Sequence, residues 1–168
     1  MEHLELKAID SCGELQELLR VRGGKLIGDP RGADHCYLLD IPEGLGYIPL
    51  GLAAQTHGLE PSVVMLPRTT TLLALHGTAI SRVNGVDGAL IYSMKLDMPA
   101  YEFLRIEENG AVVILHELGL IKLSDTGEVV WTQDTYVVEG HSVSGDIVTL
   151  DIEGGVQRRY SLASGQPV

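Results

Sequence analysis

Residues 122–134 read KLSDTGEVVWTQD. Two apolar, β-branched runs flank a short polar turn, and the second run carries the chain's one tryptophan, Trp131. In the first run Ile121 and Leu123 face one side of a strand, while Lys122 and Ser124 face the other. SDTG then supplies turn-forming residues and, at Gly127, a residue with no Cβ to obstruct positive φ. EVVWT reads as a further strand with Val129 and Trp131 on one face. With VVIL upstream, the unit is a small antiparallel meander.

The unit recurs at a spacing near 40 residues. The copies are Leu72 to Asp97, Val112 to Asp134 and, more loosely, Val148 to Val168. Leu75-His76 matches Leu115-His116, Ile80 matches Leu120, Arg82 matches Lys122, and Val83 matches Leu123. Gly88 matches Gly127 after a one-residue gap, Tyr92 takes the place of Trp131, and Gly165 of LASG takes the turn position in the last copy. Such spacing belongs to strand-rich repeats. A lone meander cannot bury its apolar face, so the copies must pack on one another or on the N-terminal strands.

LIKLSDTGEVVWTQD resembles a blade of the quinoprotein-type (PQQ-like) β-propellers. In those blades a strand ends in an Asp-x-x-Gly-like turn and the next strand carries a tryptophan, as Asp125, Gly127 and Trp131 do here. The resemblance covers roughly residues 72–168. It implies blade-like antiparallel meanders, but too few for a closed ring, which needs about four. The family's cofactor sites come from the assembled ring, so none of its functional residues carries over and no cofactor is implied.

Upstream the texture differs. DSCGELQELLRVRGG predicts a helix: Asp10 and Ser11 are N-cap candidates, and Leu15, Leu18 and Leu19 form an apolar stripe. Arg20 and Arg22 fall near the C-terminal end, and Gly23-Gly24 stop the helix. Five of the seven prolines lie between Pro30 and Pro67, so CYLLDI, LGYIPLGLA and SVVML read as short, edge or bulged strands. The expectation is one domain, 1–168, with a helix and short irregular strands in 1–67 and meander repeats in 68–168. The fold class is mainly β, with one short N-terminal helix. The meanders pack as a β-sandwich-like stack (the preferred arrangement), as a partial propeller, or in a homo-oligomer that completes the sheets.

The net charge is −11 and the pI about 4.8. The acidic excess is spread along the chain, with no clustered Lys and Arg. Nucleic acid and an anionic membrane surface are therefore disfavoured, and a basic protein partner is the complementary choice. No apolar signal core or membrane-spanning run is present. Cys12 and Cys36 form no CxxC pattern. The protein is expected to be cytoplasmic with reduced thiols, a disulfide between the two cysteines being the alternative.

No HxH, HExxH, GxGxxG, GKS/T or GxSxG motif occurs, and no metal site is predicted. His76 and His116 hold equivalent repeat positions, which raises a metal or acid–base site between packed meanders; a shared packing role is the simpler reading. Glu117, adjacent to His116, points to the opposite face of a strand and cannot chelate with it. Trp131 is either an exposed anchor for a partner or a cross-strand packing residue, and Tyr92 shares its slot. Two functions remain open. One is a non-enzymatic, acidic protein-binding module, such as an inhibitor or immunity-type protein. The alternative is a small hydrolytic or metal-dependent enzyme using His76, His116 and acidic neighbours.

Overall fold

The computed structural model describes residues 2–42, 44–66 and 68–168, and 52% of the chain lies in strands. Its one helix forms where local capping chemistry places it. α1 (Cys12–Arg22) starts at Ser11, whose Oγ accepts the Glu14 N–H at 3.1 Å, and ends at Gly23 with φ 70°. Leu15 and Leu19 are its buried stripe.

The N-terminal strands are β1 (Glu2–His3), β2 (Glu5–Ile9), β3 (Lys25–Ile27), β4 (His35–Asp40) and β5 (Leu50–Ala54). One sheet has the order β2-β4-β5-β3. β2 and β5 each run antiparallel to β4, whereas β3 runs parallel to β5. The β3–β5 pairing is the one parallel pairing in the described strands; β2 and β3, at opposite edges of the sheet, also run parallel, and α1 is the crossover that joins them. Gly51 on β5 admits the helix at close range: a Cβ there would stand 2.8 Å from the Leu19 side chain.

Cys12 and Cys36 are joined in a disulfide, with Cα atoms 5.3 Å apart. This corrects the expectation of reduced thiols. Cys36 on β4 pairs with Ile9 on β2, and the chain turns from Ile9 into the helix within three residues. That return brings Cys12 back over Cys36, a proximity that their sequence separation of 24 conceals.

The second sheet adds β6 (Ser62–Met65), β7 (Thr71–His76), β8 (Ala79–Asn84) and β9 (Leu90–Lys95), in the order β1-β6-β7-β8-β9. The two sheets face each other across one core: Leu39, Leu50 and Leu52 from the first, Val63, Leu72 and Val83 from the second. The first meander copy thus shares its core with N-terminal strands. The chain accordingly divides into compact units at 97/98, while the change of sequence texture falls at 67/68.

In the unit of residues 98–168, β10 (Ala100–Ile106), β11 (Val112–His116), β12 (Gly119–Leu123) and β13 (Val129–Asp134) form one four-stranded meander. β14 (Val138–Ser144), β15 (Ile147–Ile152) and β16 (Val156–Ser161) form a three-stranded one. They pack face to face through Val113, Leu115 and Leu120 against Val148, Leu150 and Ile152. EENG closes the β10–β11 hairpin, with the Gly110 N–H donating to the Glu107 carbonyl at 2.9 Å. Among the described residues, no helix is long and apolar enough to cross a membrane.

Candidate functional site

The turn glycines and aromatic slots occupy matched places in two blades. Gly88 (φ 68°) donates its N–H to Asn84 O at 2.8 Å, and Gly127 (φ 87°) to Ser124 O at 3.1 Å. Tyr92 on β9 stands opposite Arg82, as Trp131 on β13 stands opposite Lys122. Both cations are buried. Lys122 Nζ donates to Glu107 Oε1 at 2.5 Å and to Ala163 O at 3.3 Å, so its charge is matched inside the unit. The Trp131 ring lies on the turn at Gly165 and against the core of its unit. Its role in the fold is therefore packing, with the residue partly buried at the edge.

Both outer strands carry a bulge directly before this slot. Lys122 pairs with Trp131 but Leu123 with Val129, leaving Val130 as the extra residue. Arg82 pairs with Tyr92 but Val83 with Leu90, leaving Ile91 extra. A bulge breaks the two-residue period. Alternation alone puts Val129 beside Trp131 on a core face, whereas Val129 and Val130 are 49% and 56% exposed, and Leu90 and Ile91 59% and 47%. β9 and β13 are the terminal strands of their sheets, so each blade presents an apolar pair at an edge. Acidic side chains flank them: Asp87 by Leu90, Glu128 and Asp134 by the valines. The sequence signal for this feature was two adjacent apolar residues after each turn glycine, one of which had to point outward.

His76 and His116 belong to different units and have different partners. His76 Nε2 lies 3.4 Å from Ser81 Oγ, itself 3.2 Å from the Oγ of exposed Ser93. Burial pushes His76 down to about 4. Ser93 and His76 line a groove of about 420 Å³ with Asp29 and Lys95. His116 Nδ1 accepts the Leu118 N–H at 3.3 Å, closing the hairpin turn, and burial lowers its pKa against the opposing pull of Asp134. Glu117 serves that hairpin through its backbone: its N–H donates to Pro99 O at 3.0 Å and its carbonyl accepts the Val138 N–H at 2.9 Å. Among the described residues, no three His, Cys, Asp or Glu side chains converge as a metal would require.

No family model matches the chain, and no curated protein matches it. Solved structures do. BamB from Moraxella catarrhalis aligns over 86% of this chain and 50% of its own, at a TM-score of 0.51 and 15% identity. The N-terminal domain of Nup159 aligns over 85% of this chain and 41% of its own, at a TM-score of 0.51 and 10% identity. The computationally designed Ika4 protein aligns over 69% of this chain and 74% of its own, at a TM-score of 0.51 and 12% identity. BamB and Nup159 are β-propeller proteins. The likeness is one of fold. The chain spans half the length of that BamB or less of the Nup159 domain.

Proposed function

We propose that this protein is a non-enzymatic, acidic protein-binding module whose blade edges receive a partner. The observation that carries the reading is the repeated apolar pair, Leu90-Ile91 and Val129-Val130, exposed at the bulge of each terminal strand. Exposed apolar groups on an edge strand are a liability that soluble proteins remove unless they are used. The bulges twist each edge away from continuous strand pairing, so recognition rests on side chains. The surface complementary to each edge, taken by itself, has an apolar centre and a Lys/Arg-rich rim, facing Asp87 in the first unit and Glu128 and Asp134 in the second, in keeping with a net charge of −11. An inhibitor or immunity-type role against a basic partner in the cytoplasm fits this chemistry. The turn glycines Gly88 and Gly127 with their aromatic slots support blades of the quinoprotein type, used as architecture without the cofactor.

The test is affinity capture at low salt, followed by a salt titration. Its control replaces Leu90, Ile91, Val129 and Val130 together by Thr, a residue that keeps strand propensity. A partner retained by the native protein, released by salt and not captured by the variant supports the reading. Equal capture by both, or capture by neither, overturns it. The hydrolytic alternative keeps one observation in its favour, the His76–Ser81–Ser93 chain beside a groove. Labelling of Ser93 by a fluorophosphonate, abolished in His76→Gln, would favour that reading instead.

A further inference from the structure

Cys12 is the first residue of α1, and Cys36 lies beneath the helix in the core. The two sulfurs of their disulfide differ in access. Cys36 is 3% exposed and packs with Leu15, Leu19 and Ala53, whereas Cys12 is half-buried. A groove of about 330 Å³ opens beside the pair, lined by Asp10, Ser11, Cys12, Asp34, His35 and Cys36. The first turn of a helix presents its N–H groups and positive dipole end, which favour a thiolate at Cys12 when the bond is open. The asymmetry therefore has a chemical consequence.

We propose that Cys12–Cys36 is a thiol–disulfide exchange site, in which a small neutral or cationic thiol attacks the Cys12 sulfur and Cys36 serves as the buried leaving and resolving thiol. The incoming thiolate forms a bond to Cys12 Sγ as the Cys12–Cys36 bond breaks. The electron pair departs on Cys36 Sγ, which takes a proton from water. With a dithiol reductant, its second thiolate attacks its own sulfur in the mixed disulfide and releases Cys12, which is protonated in turn. The protein gains two electrons and two protons, and the dithiol becomes a disulfide. In reverse, the Cys36 thiolate attacks the mixed disulfide at Cys12 and expels the small thiol.

Charge sets the class of thiol. Asp10 and Asp34 stand at the groove. Asp34 is held down to about 2 by its bonds from His35 and Thr56, so it is ionised throughout the working range. His35 lies 3.0 Å from that same carboxylate. An anionic thiol such as glutathione meets these carboxylates, whereas cysteamine or dithiothreitol does not. The proposal concerns α1 and β4 and is independent of the blade edges.

The experiment uses the full chain. Oxidised protein is titrated for thiols under denaturing conditions before and after dithiothreitol, with no thiol expected before and two after. Reduced native protein is then treated with limiting iodoacetamide and mapped by peptide mass, where Cys12 is expected to label several times faster than Cys36. Cystamine applied to Cys36→Ser is expected to leave a stable cysteamine adduct at Cys12. Cysteamine is expected to open the native disulfide faster than glutathione at equal thiolate concentration, with the gap narrowing in Asp10→Asn. Free thiols in the oxidised protein, or labelling of Cys36 as fast as Cys12, overturns the site. Equal rates for cysteamine and glutathione overturn its selectivity. The labelling of native protein decides the matter even if Cys36→Ser fails to fold.

Discussion

The ring of Trp131 leaves no room for a side chain at Gly165: a Cβ there would stand 2.7 Å from the indole. Gly165 also has φ 73°, a conformation that side chains resist. The turn of the three-stranded meander thus closes onto the tryptophan of the four-stranded one. Gly165→Ala should combine overpacking with backbone strain and cost about 3 kcal/mol. Gly145 separates the two causes, because it has φ 60° with nothing within 4 Å of a Cβ. Gly145→Ala should cost only about 1 kcal/mol. Urea unfolding of both variants checks the difference.

Lys122 and Glu107 make a second link of this kind, with side chains 10% and 23% exposed. Glu107→Gln keeps an amide oxygen for Lys122 Nζ but removes the charge that balances the buried ammonium, and should cost about 3 kcal/mol. Lys122→Met leaves a carboxylate that water can still reach and should cost about 1 kcal/mol. The double variant should fall well short of the sum, because the second change removes the charge that the first one orphaned. A double-mutant cycle in urea reads this coupling directly.

Acid should weaken the fold through His76 before it acts on the carboxylates. The imidazole is held neutral at a pKa of about 4, against 6.5 when exposed. Below 6.5 the unfolded chain therefore binds a proton that the folded chain refuses. The contribution is fully present above that value and is lost as pH falls to about 4, for a total of about 3 kcal/mol. His116 is shifted in the same direction and acts in the same window. Asp34, depressed to about 2, loses its contribution only at lower pH. Unfolding free energies measured from pH 7 to pH 4 should fall less steeply in His76→Gln than in the native protein.

The disulfide closes a loop with a sequence separation of 24. Its removal should cost about 3 kcal/mol through the freedom regained by the unfolded chain. Cys12→Ser/Cys36→Ser and dithiothreitol-treated native protein should show the same lowered urea midpoint. A midpoint unchanged by dithiothreitol would exclude a stabilising crosslink.

Much of the fold was legible because its determinants are local. Ser11 and Gly23 bound the helix through their own backbone preferences. Alternation in GLIKL and the turn SDTG marked a meander that is found at β12 and β13. The edge patches were only half legible. Val129 and Val130 are adjacent in the sequence, but their joint exposure follows from a bulge opposite Lys122 and Leu123 and from the terminal place of β13 in its sheet. β14, written VEGHSVS, carries too little apolar pattern to announce itself and is held as a strand by pairing with β15.

The sequence by itself determined the repeating strand-turn-strand unit, the positions of its turns and the limits of the helix, because each depends on a few neighbouring residues. Tertiary structure alone decided that β3 runs parallel to β5 and that the first meander faces the N-terminal sheet. It also brought Cys12 to Cys36. These outcomes join residues far apart in the chain, and they follow from the burial of whole apolar faces, a quantity that no short stretch of residues contains.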